Sequence, residues 1–156
     1  MKKKFKLEND FLDFLELCNK HSVKYLVIGG YAVSIHGYPR YTKDLDICIE
    51  SSEQNAKNMV LVLKDFGFAS LGLTQDDFLK KNLVTQLGYE PLRIDILNDM
   101  DNVPFEQAWK NKRDVQYEGI TINFIGYAEL LKLKEKAGRP QDLADIDKLK
   151  SRNKNK

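Results

Sequence analysis

Apolar residues along the chain change period several times, and each change marks an element. Phe11, Leu12, Phe14, Leu15, Leu17 and Cys18 recur at helical spacing and predict an amphipathic helix over 8–21. Tyr25-Leu26-Val27-Ile28 reads as a buried strand stopped by Gly29-Gly30, with a short helix over 31–35 directly after it. Pro39 pushes Tyr38 out of helical geometry, so His36-Gly37-Tyr38-Pro39 is a turn. A second strand follows over 45–49. Ser51 with Gln54 three residues later is a capping-box pattern that opens a helix running to about Asp65, ended by Gly67. Strands over 83–87 and 92–97 are joined through Gly88-Tyr89-Glu90-Pro91. Residues 115–117 and 120–124 form a hairpin about Glu118-Gly119. Leu130, Leu131, Leu133 and Ala137 mark a helix closed by Gly138. Pro140 opens the last helix, with Leu143, Ile146 and Leu149 expected on its buried face.

Helices and strands in this order predict a mixed α+β domain over 1–150, one sheet flanked by helices with a helical C-terminal segment, followed by a basic polar tail over 151–156. A chain of 156 residues suits one such domain and buries enough surface to need no disulfide or structural metal. Cys18 and Cys48 have no CxxC or His partner at ligand spacing, which argues against a zinc site and for a reducing cytoplasm. No apolar run approaches the ~20 residues of a membrane span, and the acidic stretch after the basic start does not fit a signal-peptide core. The formal charge of +2 conceals a split: nine bases lie at the two ends, leaving sixteen against all 23 acids in residues 7–147, a net −7. An acidic body directs attention to where the carboxylates gather, because a cluster calls for cations.

Asp44 and Asp46 lie two apart, so strand geometry sends both to one face and Leu45 and Ile47 to the other. Close carboxylates repel unless a cation or strong donors sit between them, although an isolated Asp-x-Asp also suits a solvated strand end. Asp95, between Ile94 and Ile96, sits either on a solvated sheet face or at a site. If the two strands are neighbours, Asp44, Asp46 and Asp95 converge into an all-oxygen cluster suited to Mg²⁺. Gly29-Gly30, between strand and helix, serves either a tight turn needing positive φ or the close approach of a phosphate.

Joined, these pieces resemble the nucleotidyltransferase superfamily of the DNA polymerase beta type. Its hydrophobic-Gly-Gly element reads here as Ile28-Gly29-Gly30, followed after thirteen residues by Asp44-Leu45-Asp46-Ile47 and later by Ile94-Asp95-Ile96. More narrowly, residues 40–47 and the run Lys134 to Ile146, containing Gly138-Arg139-Pro140-Gln141-Asp142-Leu143-Ala144-Asp145, resemble small bacterial AbiEii-type nucleotidyltransferases. The resemblance implies a minimal nucleotidyltransferase fold and two-metal transfer of an NMP group from an NTP to a hydroxyl or phosphate acceptor. Asp44, Asp46 and Asp95 would bind two Mg²⁺ ions, for which Mn²⁺ substitutes, with Asp95 on the ion that activates the acceptor. Gly29 and Gly30 would cradle the triphosphate. The implied partners are the NTP, an acceptor that is RNA such as tRNA, protein or a small molecule, and a cognate antitoxin where the chain belongs to a toxin–antitoxin or phage-defence system.

Other residues carry two readings each. Arg40 or Lys43 would neutralise phosphates, with only one of them facing the site. Thr42 shares the parity of Asp44 and Asp46 and is expected to orient a carboxylate. Asp142 and Asp145, three apart on the last helix, are expected to accept from Arg139 or Lys134 and tie that helix down, while the other role for Lys134 is on the nucleotide's phosphates. His36 is expected as a polar turn residue, and Trp109 with Phe105 as core. The rival to an enzyme is an inactive binding or regulatory module that retains the fold. Retention of three clustered acids speaks against it.

Overall fold

A computed structural model describes residues 5–81, 83–89 and 92–154. Among these, six strands form one mixed sheet: Tyr25–Ile28 (β1), Asp44–Ile49 (β2), Val84–Tyr89 (β3), Leu92–Leu97 (β4), Arg113–Tyr117 (β5) and Ile120–Phe124 (β6), in the spatial order β3-β4-β2-β1-β6-β5. The helices are Asn9–Lys20 (α1), Gly30–Ile35 (α2), Glu53–Asp65 (α3), Phe105–Lys110 (α4), Tyr127–Ala137 (α5) and Pro140–Lys154 (α6), with 3-10 turns at Ala69–Leu71 and Gln75–Phe78. The expected α+β class is borne out. None of the described helices is long and apolar enough to cross a membrane.

Strand β1 lies between β2, which runs antiparallel to it, and β6, which runs parallel. All four of its residues are buried, so its apolar run shows no alternation. Register sets Val27 beside Ile47 and Ile47 beside Ile96, so one face of the central strands is aliphatic. That face shares a core with Phe11, Phe14 and Leu15 of α1 and Met59, Val62 and Leu63 of α3. The opposite face of β2 and β4 carries the polar residues.

Several local expectations shift. Helix α3 is capped one residue later than the sequence pattern suggests. Ser52, not Ser51, accepts from the Asn55 amide at 3.2 Å. The shift frees the Asn55 side chain for a buried bridge. Its Oδ1 accepts from the Lys24 amide at 2.8 Å, and its Nδ2 donates to the carbonyls of Lys24 at 3.0 Å and Glu50 at 2.9 Å. One amide thereby fastens the start of β1 to the end of β2. His36 lies in the turn that ends α2, as expected, but it is buried, with Nε2 2.7 Å from the Ile125 carbonyl. Phe105 and Trp109 stack at 5.9 Å, and Lys112 lies over the indole at 4.9 Å, so Trp109 sits at the core's margin.

The last helix departs most. Leu143 is 55% exposed, whereas Asp142, Asp145, Ile146 and Leu149 are buried. These four follow the i, i+3, i+4, i+7 stripe of one helix face, half of it acidic. The helix continues through residues 151–154, which the sequence suggested as tail. Glu90 and Pro91 of the β3–β4 link, and Lys2, Lys3, Lys4 and Lys156 of the basic ends, fall outside the described residues.

Replacing Asn55 by Ala strands part-buried main-chain groups of Lys24 and Glu50, so unfolding free energy measured in urea should fall by about 1–3 kcal/mol with an unchanged m-value.

Candidate active site

Parallel pairing of β2 with β4 places Asp44 opposite Arg93 and Asp46 opposite Asp95. Alternate residues share a face, so Asp44, Asp46, Arg93 and Asp95 rise together from the polar side of the sheet. The three acids singled out in the sequence therefore meet on one surface. Beside them a cavity of about 580 Å³ opens between the sheet and the end of α5. Gly29, Asp46 and Asp95 line its sheet side, Asp99 and Asp101 come from the loop after β4, and Lys134, Lys136 and Arg139 enter from the helical side.

Asp46 is the charge under most pressure. Burial first, and then the neighbouring charges of Asp95 and Asp44, push its carboxyl up to about 7. A hydrogen bond with Asp95 acts in the same direction, because it holds the proton that keeps the two oxygens together, while Lys134 opposes the rise. Asp44 and Asp95 are handled by Arg93. Its Nε donates to Asp95 Oδ1 at 2.9 Å and its Nη2 to Asp95 Oδ2 at 3.1 Å, and the same Nη2 lies 3.2 Å from Asp44 Oδ2. A guanidinium fork thus stands between two of the three carboxylates. Among the described residues no three acidic, imidazole or thiol groups are gathered closely enough to hold a metal as they stand. The donor chemistry nevertheless fits a hard divalent ion, since oxygen ligands with surplus negative charge share one face.

The two glycines answer different constraints. Gly29 has φ 76° and ψ −150°, a region open essentially to glycine alone, and a Cβ there would collide with Asp46 Oδ2. Gly30 has ordinary φ, but a Cβ would come within 2.5 Å of Thr42 Oγ1. Thr42 thus packs against the diglycine turn, and its hydroxyl donates to the Asp44 carbonyl at 3.4 Å. Among the described residues its hydroxyl meets a main-chain carbonyl and not a carboxylate, since Thr42 precedes β2 on a loop where strand parity no longer applies.

A second set of charges underlies α6. Arg40 bonds Asp145 through Nε and Nη2, both at 3.1 Å, and Asp145 is fully buried. Lys134 Nζ lies 3.0 Å from Asp145 and 3.2 Å from Asp142. Arg139 Nε donates to Asp142 at 2.6 Å. Burial pushes the Asp142 carboxyl upward, yet the hydrogen bonds and charges of Arg139 and Lys134 outweigh it and hold the group below the usual carboxylate range. The structural role expected for Asp142 and Asp145 is present, and Arg40 joins it. Of the sequence candidates, Gly29, Asp46, Asp95 and Lys134 line the cavity, whereas Asp44, Gly30, Arg40 and Thr42 are not among its lining residues. Arg93, Lys136 and the Asp99–Asp101 pair were not anticipated. Arg93 was readable from its i, i+2 relation to Asp95, which puts both on one face.

Two outcomes follow. Asp46→Asn keeps a donor for Asp95 without a shared proton and removes a repelled charge, so the melting temperature in metal-free buffer should hold or rise by a few degrees. Asp145→Ala leaves Arg40 and Lys134 with a buried deficit of negative charge and should lower unfolding free energy by about 3–5 kcal/mol in denaturant titration.

No protein-family profile matches this sequence. No curated protein sequence matches it either. Solved structures do. The lincomycin-bound lincosamide antibiotic adenylyltransferase LnuA is similar over 93% of this chain and 97% of its own, with TM-score 0.59 and 19% identity. A candidate nucleotidyltransferase from Thermotoga maritima is similar over 92% of this chain and 94% of its own, with TM-score 0.61 and 16% identity. At such identities the likeness is one of fold, and the fold of this chain is that of nucleotidyltransferase structures.

Proposed function

We propose that this chain transfers an NMP group from an NTP to a hydroxyl or phosphate acceptor. The observation that carries the proposal is the meeting of Asp44, Asp46 and Asp95 on one sheet face, from two paired strands, beside a glycine turn and a cavity with cations on its other side. The nucleotidyltransferase fold supports it. Asp44, Asp46 and Asp95 would hold Mg²⁺, or Mn²⁺ in its place. Bound there, divalent ions offset charge on the transferred phosphoryl group and ease loss of the acceptor's proton.

The protein's own groups divide the remaining work. Gly29 leaves the backbone bare where the triphosphate approaches the turn. Lys136 and Arg139, on the helical wall, are placed to screen phosphate charge. Leu130 and Leu133 on the same wall give a sugar or base an apolar surface that excludes water. Lys134 reaches this wall while bound to Asp142 and Asp145, and so transmits the position of α6 to the site. Holding the reacting groups in line and balancing their charge is most of what such a transfer asks of a protein.

The acceptor is RNA, protein or a small molecule. The first of these structural neighbours modifies a lincosamide antibiotic, which favours a small hydroxyl-bearing compound. The resemblance of residues 40–47 and 134–146 to AbiEii-type enzymes favours a macromolecule in a cytoplasmic toxin–antitoxin or defence setting, with a cognate antitoxin as partner.

Incubation with each α-labelled NTP, Mg²⁺ and fractions of RNA, protein and hydroxylated small molecules should move label into one fraction, and Asp95→Asn should reduce that transfer at least a hundredfold. No transfer in any fraction, with a melting temperature unmoved by Mg²⁺ and NTP together, would instead favour an inert module of the same fold.

A further inference from the structure

Arg93 occupies a place that the transfer reaction does not need an arginine to occupy. It belongs to the polar face of β4, two residues before Asp95 and directly across the ladder from Asp44. Its guanidinium makes the paired contacts of a fork with both oxygens of Asp95, at 2.9 and 3.1 Å, and its Nη2 reaches Asp44 at 3.2 Å. The side chain is 28% exposed and Asp95 12%, so the contact is largely, though not wholly, shielded from water. Three carboxylates, those of Asp44, Asp46 and Asp95, share this face with the guanidinium.

We infer that Arg93 is a built-in counter-ion of the acidic cluster, one that a divalent ion has to displace. The inference rests on the reading of Asp44, Asp46 and Asp95 as metal ligands and adds to it a competitor. Loading of the site is an exchange of cations. The guanidinium and a divalent cation satisfy the same carboxylate oxygens, and both cannot lie between Asp44 and Asp95 at once. When the arginine leaves, its long side chain carries the charge away from the carboxylates, and the vacated oxygens become available to an oxygen-liganded ion. The arginine keeps the metal-free fold from bearing three facing carboxylates, and it raises the concentration of free ion required to load the site. A structural arginine would behave differently, since its loss would loosen the cluster and weaken ion binding rather than strengthen it.

Wild-type protein, Arg93→Gln and Arg93→Lys are compared by Mn²⁺ titration read by electron paramagnetic resonance, and by melting temperature with and without Mn²⁺. Loss of the competitor should tighten Mn²⁺ binding at least tenfold in Arg93→Gln and lower its metal-free melting temperature, with Mn²⁺ restoring more stability than it adds to wild type. Arg93→Lys, which keeps the charge and loses the fork, should fall between the two. Asp46→Asn in the Arg93→Gln background should abolish the tightened binding, which places it at this cluster. Mn²⁺ binding that is present in wild type and equal or weaker in both arginine variants overturns the inference alone. Absence of Mn²⁺ binding from all the proteins overturns it together with the metal-ligand reading beneath it.

Discussion

Like charges facing one another across a pair of neighbouring strands are the constraint around which this molecule is arranged. Parallel pairing of β2 with β4 brings Asp46 and Asp95 side by side with Asp44 one step along. Such a face is unfavourable in a metal-free protein, and three features bear on it. Asp46 retains affinity for a proton toward neutral pH, Arg93 forks onto Asp95 and Asp44, and Lys134 contributes a more distant positive charge. The opposite face of the same strands is aliphatic and buried. That core stabilises the sheet and lets it tolerate the strained side.

The charges beneath α6 have the reverse character. Asp142 and Asp145 are as buried as the core leucines, but each has its cations at hydrogen-bond distance. Buried pairs of this kind specify geometry more than they add stability. Here the geometry specified is the docking of a helix whose apolar stripe is only half apolar. Because Arg40 comes from the loop before β2 and Lys134 from the cavity wall, the same pairs fix two segments that border the acidic cluster.

Much of this was legible in the chain. An unbroken apolar run located β1, periodicity located β2, β4 and α3 to within a residue or two, and the parity of Asp44 and Asp46 gave their shared face. What parity does not reveal is which strands are neighbours. That Asp95 lies beside Asp46 depends on a crossover through α3 and the β3–β4 pair. The α6 stripe was misread only at Leu143, which points outward; the local pairing of Asp142 and Asp145 with Arg139 and Lys134 was legible, whereas Arg40, over a hundred residues from Asp145, was not. Arg40 was read as a phosphate partner and Thr42 as orienting a carboxylate, and position alone did not show the Asp145 carboxylate that Arg40 bonds or the Asp44 carbonyl that Thr42 meets. Asn55 and His36 were opaque for the same reason, since each bridges main-chain groups of distant segments.

A crystal soaked with Mn²⁺ and a non-hydrolysable NTP, read by anomalous scattering, decides whether the acidic face is what the fold is built to present. Manganese should be bonded directly to Asp46 and Asp95, with the triphosphate beside Gly29 and the Arg93 guanidinium withdrawn from Asp95. Arg93 still forked on Asp95, with no anomalous peak near the carboxylates and nucleotide bound elsewhere or not at all, would contradict it.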